Sequence, residues 1–463
     1  MEDNDEKKKD IEISVYKGDK LFNPKNTPFV VNLFAPEAKE EEDEKRVSAD
    51  LICVIDISGS MNGVKIHLVK ESLKILVDMM DEKDRIALVL FDQEAKLFYN
   101  LDFLSKENKT KLKDKIEIIE ARGGTNIASG LQVAVDILKK EKKNSKDTES
   151  RSSSIILLSD GCDNYMDDIQ LGEKLKSLTK GENLSFTLNT FGYGYDHDPK
   201  IMNKLANLRD GSFFLVEDYT KVGEYFVSVL GGCISMISKD AKLDVKMTNQ
   251  NCKIVKIFGE NNLYSYELKD HLFTTMMLQF ISGKDYTFVL EIQIDESSVK
   301  PGDNLLEINF VYDDITKKEK ITLNKKYNFE IKDVNFAKAN EEYIRSQTYD
   351  VLEKALKLKE NNKIKEGQKI LGDMRNWLEK NYKGDNKTYL EDIKKAEPMF
   401  KSFEYNLREV SYTTSQIRQM QSKRIGSYNL YSNSVQMRLQ NNYQTNFAQS
   451  QNANNYINNN QNI

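Results

Sequence analysis

Three oxygen-bearing side chains stand at alternate positions in the stretch Leu51-Ile-Cys-Val-Ile-Asp-Ile-Ser-Gly-Ser-Met61: Asp56, Ser58 and Ser60. The five apolar residues before Asp56 are the pattern of a strand buried on both faces. Gly59 allows a tight turn. After Met61 the period changes to that of a helix, with Val64, Leu68, Ser72, Ile75, Val77 and Met79-Met80 largely on one face. A carboxylate and two hydroxyls therefore sit on a loop between a buried strand and a helix. In an open α/β sheet that loop lies at the carboxyl edge of the strands, where such folds carry their sites. No nucleophile–base pair and no phosphate-cradling loop is visible in the chain, which leaves ligation by oxygen as the chemistry on offer.

Two further pieces extend the pattern. Asp56-Ile-Ser58-Gly-Ser60 resembles the D-x-S-x-S loop of von Willebrand factor type A domains. Gly123-Gly-Thr125-Asn-Ile127 is similar to that family's second loop, and Leu157-Leu-Ser-Asp160-Gly161 to its third, in the same chain order. The resemblance covers roughly residues 48–232. It implies a Rossmann-like, doubly wound, mostly parallel sheet. It also implies a metal-ion-dependent adhesion site built from Asp56, Ser58, Ser60, Thr125 and Asp160. In the family the two serines bind the metal directly, the two aspartates act through waters, and the threonine does either. One position stays open for a carboxylate from a partner protein.

Two carboxylates and three hydroxyls are hard donors that suit magnesium, calcium or manganese rather than zinc. Magnesium is the expected ion. Neutral hydroxyls leave it electrophilic toward an Asp or Glu of a partner. Gly123 and Gly124 let the backbone approach, and Gly161 turns the chain after Asp160. The surface meeting the partner is expected to include Gly59, Met61, Asn62, Gly124, Asn126, Gly161 and Asp196. The expected function is a metal-dependent protein–protein interaction module and not an enzyme. The alternatives are a scaffold that assembles through its helices and tail, and a metal-dependent hydrolase.

Other candidates have simpler explanations. In Tyr195-Asp196-His197-Asp198, Asp198 before Pro199 reads as a helix cap, with a second ion site as the alternative. Loop solvation accounts for Asp92 and Asp163. His67 is read as structural, and His271 has no evident partner. The cysteines, Cys53, Cys162, Cys233 and Cys252, are far apart and form no C-x-x-C pair, so neither zinc nor a disulfide framework is expected.

Residues 48–238 alternate strands with helices. Arg85–Phe91 is a buried strand, and Ala95–Tyr99 returns beside it as an antiparallel edge. Helices are expected at Lys106–Glu120, Ile127–Lys140, Asp167–Leu178, Pro199–Asn207 and Val222–Ile237, and strands at Ser154–Leu158, Leu184–Phe191 and Ser212–Val216. In residues 239–333 the period is two, as in Leu243/Val245/Met247, Phe288/Leu290/Ile292/Ile294, Leu306/Ile308/Phe310 and Tyr327/Phe329/Ile331, which predicts an antiparallel β-sandwich. Residues 1–47 hold two strands, Ile11–Tyr16 and Phe29–Phe34, and a charged linker. The strands are expected to complete the sandwich, making the α/β domain an insertion; the alternative is that they pack on the α/β domain.

Residues 334–421 read as a helical hairpin plus a third helix from Tyr389 to about Ile417, with Pro398 a break or kink and Trp377 in the core. Residues 422–463 are Asn/Gln-rich and expected to be a disordered tail, with self-association as the alternative. This order of regions is similar to a group of eukaryotic intracellular type A proteins. Some plant members carry a RING zinc domain and act as ubiquitin ligases. The cysteine and histidine set for a RING is missing here, so that activity is not expected.

With 463 residues, two or three domains are expected. A net charge of −5 creates no strong field, so neither nucleic acid nor an anionic membrane is the expected partner. The first ten residues have no apolar core and no apolar run approaches membrane-spanning length, so a soluble, cytoplasmic protein is expected.

Overall fold

The computed structural model describes residues 11–36, 46–144, 151–182, 184–194, 197–216, 221–259, 265–315, 317–329, 336–381 and 388–401. They divide into two compact units. One is built from the described parts of 11–36, 239–278 and 285–401, and the other from 46–238 and 279–284.

The chain opens with β1 (Glu12–Lys17) and β2 (Asn26–Phe34) of the first unit. The α/β unit then follows. Its elements are β3 (Ser48–Asp56), α1 (Val64–Met79), β4 (Arg85–Phe91), β5 (Ala95–Phe103), α2 (Lys106–Glu117), α3 (Ile127–Asn144), β6 (Arg151–Ser159), α4 (Asp168–Thr179), β7 (Thr187–Tyr193), α5 (Pro199–Asn207), β8 (Phe213–Val216) and α6 (Val222–Ile234). They form one six-stranded sheet in the order β5-β4-β3-β6-β7-β8. All neighbours are parallel except β5 on β4, as the alternating pattern predicts.

The central β3 is buried on both faces. Leu51, Cys53 and Ile55 join a core with α1, α2 and α6. Ile52 and Val54 join another with α3, α4 and α5. At the amino edge Asp50 is held by two cations, Arg85 of β4 at 2.7 Å and Arg151 of β6 at 2.7 Å. A one-residue slip of β3 would separate this ion-pair triad and turn every core residue of the strand to the wrong face.

The other unit contains two antiparallel sheets. Its later elements are β9 (Met236–Met247), β10 (Lys253–Ile257), β11 (Ser265–Lys269), β12 (Leu272–Ile281), β13 (Asp285–Gln293), β14 (Asn304–Asp314) and β15 (Glu319–Asn328). One sheet has the order β1-β2-β13-β10, the other β11-β12-β9-β14-β15. The first strands therefore pair with the late ones: β2 lies on β13 from Phe34↔Asp285 to Asn26↔Gln293. Ring contacts join the two sheets, Phe29 to Tyr327 at 5.5 Å and Phe273 to Phe288 at 5.9 Å.

Helices α7 (Phe336–Glu360), α8 (Ile364–Asn381) and α9 (Thr388–Lys401) complete this unit. Buried Glu291 of β13 ties α7 to the sheet. It accepts hydrogen bonds from Tyr343 Oη at 2.8 Å, Gln347 Nε2 at 3.0 Å and Asn26 Nδ2 at 2.7 Å. Trp377 is half-buried against Phe22, ring centroids 4.2 Å apart.

Three local expectations need correction. Helix α6 stops at Ile234 and β9 starts at Met236, because Met236 and Ile237 satisfy either period. Helix α9 continues through Pro398 rather than breaking there. His271 has a partner, the Cys252 carbonyl, 2.9 Å from its Nδ1. The expected tail and residue Ile331 lie outside the described residues. Among the described residues no helix is long and apolar enough to cross a membrane, and no disulfide joins the cysteines.

Deleting residues 1–36 removes both strands on one side of β13. The expected outcome is a markedly lower melting temperature or insolubility, since an apolar sheet edge is then uncovered. A melt equal to that of the full chain would show that β1 and β2 carry no structural weight.

Candidate metal centre

Every candidate oxygen ligand lies at the carboxyl ends of β3 and β6 or on the loop before α3. Asp56 ends β3 and is fully buried. Its Oδ1 accepts the Ser58 amide at 2.8 Å, and its Oδ2 accepts the Ser159 hydroxyl at 2.6 Å. Burial pushes its carboxyl up to about 6, against the hydrogen bonds from Ser159 and Ser58, and the nearby charge of Asp160 adds to the rise. Ser159 in turn accepts the Gly161 amide at 2.9 Å, so one hydroxyl bridges the first and third loops.

Ser58 is buried and Ser60 exposed, and their hydroxyl oxygens are 3.0 Å apart. Between them the chain makes one 3-10 turn, Gly59–Met61. Met61 is buried in the core beside α1 and anchors this loop from below. Its side chain is thus absent from the surface expected to meet a partner. Gly161 is buried as well, whereas Gly59 and Asn62 are exposed and Gly124 and Asn126 half-buried. Asp196 lies outside the described residues.

Backbone bonds lock the three loops together. Gly59 donates to the Gly123 carbonyl at 2.9 Å. Thr125, buried, exchanges two bonds with Asn164: its amide donates to Asn164 Oδ1 at 2.7 Å, and its carbonyl accepts the Asn164 amide at 3.0 Å. Two glycines are required by geometry. Gly123 has φ 76°, and a Cβ there would meet the Asp92 side chain at 3.2 Å. Gly161 has φ 71°, and a Cβ would press on the Asp198 carbonyl at 3.0 Å.

Asp160 is buried and its Oδ2 accepts from Lys65 Nζ of α1 at 3.1 Å. Its carbonyl accepts the Asp198 amide at 2.9 Å. The Asp198 side chain caps α5 through the amides of Lys200 and Ile201, with Pro199 as the first helical residue. Asp163 does more than face solvent. It accepts the Ile127 amide at 2.7 Å, at the positive end of α3, and the Tyr165 and Met166 amides at 2.8 and 2.7 Å. His67 is exposed on α1.

Sequence reasoning passed over three of these residues, Ser159, Asn164 and Lys65, and read Asp163 as merely solvated. Register could have found Ser159, since it ends β6 beside Asp56. A basic residue in the first turn of α1, where the macrodipole disfavours it, was the signal for Lys65.

These donors suit a hard divalent cation. Adjacent oxygens in a magnesium octahedron with bonds of about 2.1 Å lie about 3.0 Å apart. The two serine hydroxyls have that spacing, 3.0 Å. Each Asp56 oxygen already accepts one protein donor and keeps a lone pair for a metal-bound water or the ion itself.

Comparison with known proteins agrees with the fold. The profile of the von Willebrand factor type A domain matches residues 50–227. The chain is 30% identical over 184 residues to the uncharacterized protein sll0103 of Synechocystis sp., a match covering 40% of this chain and 41% of that protein. It is 31% identical over 188 residues to inter-alpha-trypsin inhibitor heavy chain H2 of Sus scrofa, covering 40% of this chain and 19% of the pig protein. The chain thus spans less than half the length of either relative. A solved von Willebrand factor type A structure from Catenulispora acidiphila superposes with a TM-score of 0.60 at 15% identity, covering 85% of this chain and 89% of that one.

The raised Asp56 carboxyl has a consequence for stability. A carboxyl with a pKa near 6 in the fold and 3.8 outside it favours folding most below about pH 4, and that contribution is lost as pH rises through about 6. In chelator, Asp56→Asn is expected to flatten the fall in stability between these values, by at most about 3 kcal/mol at 1.36 kcal/mol per pKa unit. Thermal melts of both proteins across pH 4 to 7 check it, and parallel curves would show that Asp56 titrates as an ordinary carboxylate.

Proposed function

We propose that the von Willebrand factor type A domain at residues 50–227 is a metal-dependent protein-interaction module. Asp56, Ser58, Ser60, Thr125 and Asp160 would hold one magnesium, with calcium or manganese able to replace it, and an Asp or Glu of a partner protein would complete its shell. Such domains are commonly protein-interaction modules. The observation that carries the proposal is the interlocking of the three loops: Gly59 bonds to Gly123, Ser159 bridges Asp56 and Gly161, and Thr125 pairs with Asn164.

The chemistry follows from the donor set. Asp56 and Asp160 balance the two charges of the ion. Ser58, Ser60 and Thr125 add neutral oxygens, which leave the cation able to attract an acid in its open position. When bound, the ion supplies Lewis acidity for capturing that carboxylate. The protein supplies rigidity: Met61 pins the first loop into the core, and Asp163 pins the third against α3. Ser58 and Ser60 need little motion to act together, which reduces the entropy lost on binding. In this scheme the centre captures a carboxylate rather than hydrolysing a bond. The same proposal puts the chain in the cytoplasm, where the buried thiols of Cys53, Cys233 and Cys252 would stay reduced.

Ser58→Ala with Ser60→Ala is expected to lower magnesium or manganese affinity at least tenfold in calorimetric titration while the circular dichroism spectrum is retained. Partner capture in magnesium should be lost in chelator and in the double variant. Wild-type protein that binds no divalent ion, or captures the same partners in chelator, would sink the proposal. Hydrolysis of a peptide or phosphate ester that disappears in Asp56→Ala would replace it with an enzymatic role.

A further inference from the structure

Lys65 is in a place that its own helix does not favour. It is the second residue of α1, where a cation faces the positive end of the macrodipole. The first turn of that helix contains no acidic residue, and Gly63 provides no side-chain cap. Water is close by: Asn62 and Gly63 are exposed, and Val64 is 74% exposed. A lysine here could keep its ammonium in solvent at no cost in contacts. Instead the side chain turns inward until only 16% of it is exposed, and Nζ sits 3.1 Å from Oδ2 of Asp160, whose side chain is 1% exposed. The helix does not explain this conformation, but the charge of the centre does. Asp56 and Asp160 are two buried carboxylates on neighbouring loops, and Lys65 supplies one positive charge between solvent and that pair.

We propose that Lys65 is a built-in competitor of the divalent cation, an internal counter-charge on Asp160 that weakens metal binding and keeps it reversible. The inference rests on the reading of this centre as a metal site and adds a residue outside the five ligands. The physics is simple. An ammonium and a divalent ion both gain from the same carboxylate and repel each other when they share it. Metal must therefore bind against the lysine's charge or displace it. Lys65 is a positioning and affinity-setting residue; it contributes no donor oxygen to the ion. A merely structural lysine would behave in the opposite sense, because its loss would loosen Asp160 and weaken the metal.

The test is calorimetric titration of magnesium and of manganese into the full chain and its Lys65→Met, Lys65→Arg and Lys70→Met variants. Lys70 is also on α1, but its Nζ bonds the Glu117 carbonyl, so it controls for a general change in charge. A charge at this distance changes the affinity of a carboxylate site by roughly ten- to a thousandfold. Because Lys65 keeps some solvent contact, the lower end is expected: metal binding about tenfold tighter in Lys65→Met, near wild type in Lys65→Arg, and within about twofold in Lys70→Met. Lys65→Gln, checked by circular dichroism, replaces Lys65→Met if the latter fails to fold. In chelator, Lys65→Met should also melt lower than wild type, with that loss absent in an Asp160→Asn background.

Equal or weaker metal binding by Lys65→Met, in a wild-type chain that does bind, overturns the role of Lys65 and leaves the metal site standing. No binding by wild type together with clear binding by Lys65→Met supports the competitor in its strongest form and overturns the reading of the wild-type chain as a metal-dependent module. No binding by either overturns both the competitor and the metal site.

Discussion

The centre depends on the register of β3 between β4 and β6. Asp56 is a carboxylate with no solvent exposure, and an ionised group there is tolerable only if its donors are already in place. One of those donors, Ser159, belongs to a different strand. It meets Asp56 because Ile55 pairs with Leu158 and the two strands end side by side. That pairing is held at the far edge by Arg85 and Arg151 on Asp50. An ion-pair cluster at the amino edge thus sets where oxygens stand at the carboxyl edge. Neither end tolerates a shift by one residue, because the period of a strand is two.

Above the sheet the problem changes from alignment to charge. Two buried aspartates repel, and the fold answers in three ways. One backbone amide and a hydroxyl bond Asp56; an ammonium faces Asp160; neutral hydroxyls fill the remaining positions. A cluster of acids would have held a cation more tightly but could not have been buried so completely without one. Serine and threonine donors let the loops remain well packed, with Ser58, Thr125 and Asp160 all buried.

The strongly periodic parts of the structure were legible in the sequence. Strands such as Leu51–Ile55 and Ile86–Phe91 are apolar throughout because both faces are covered, and a mostly parallel sheet was anticipated from the alternation of strands with helices. The five candidate ligands were readable from motifs on the loops that follow. What could not be read was whatever depends on a partner distant in sequence. Ser159 looks like any residue at a strand end, Asn164 like a loop asparagine, and Lys65 like a solvated helix residue. Each acquires its role only when another segment is brought alongside. Met61 shows the converse error: a residue beside a motif was assumed to be on the surface, when its size and apolarity suit the core under α1. The end of α6 was blurred for a local reason, since Ile234, Met236 and Ile237 are apolar in both the helical and the extended pattern.

The pairing of β2 with β13 has a consequence for how the chain is made. Residues 26–34 leave the ribosome long before residues 285–293, to which they pair. At about 5–20 residues per second, the first strands wait on the order of ten to fifty seconds for their neighbour. Before that interval ends, once residue 216 has emerged, the α/β unit, whose strand contacts are closer along the chain, has all of its strands available and is free to fold. The β1-β2 hairpin meanwhile presents Phe29, Val30, Val31 and Leu33, all fully buried in the finished fold, with nothing to cover them. Synthesis therefore exposes a sticky apolar ribbon ahead of an already folded domain. The pairing of β2 with β13 therefore comes late in synthesis, and it is before this step that chaperones or aggregation compete for the chain.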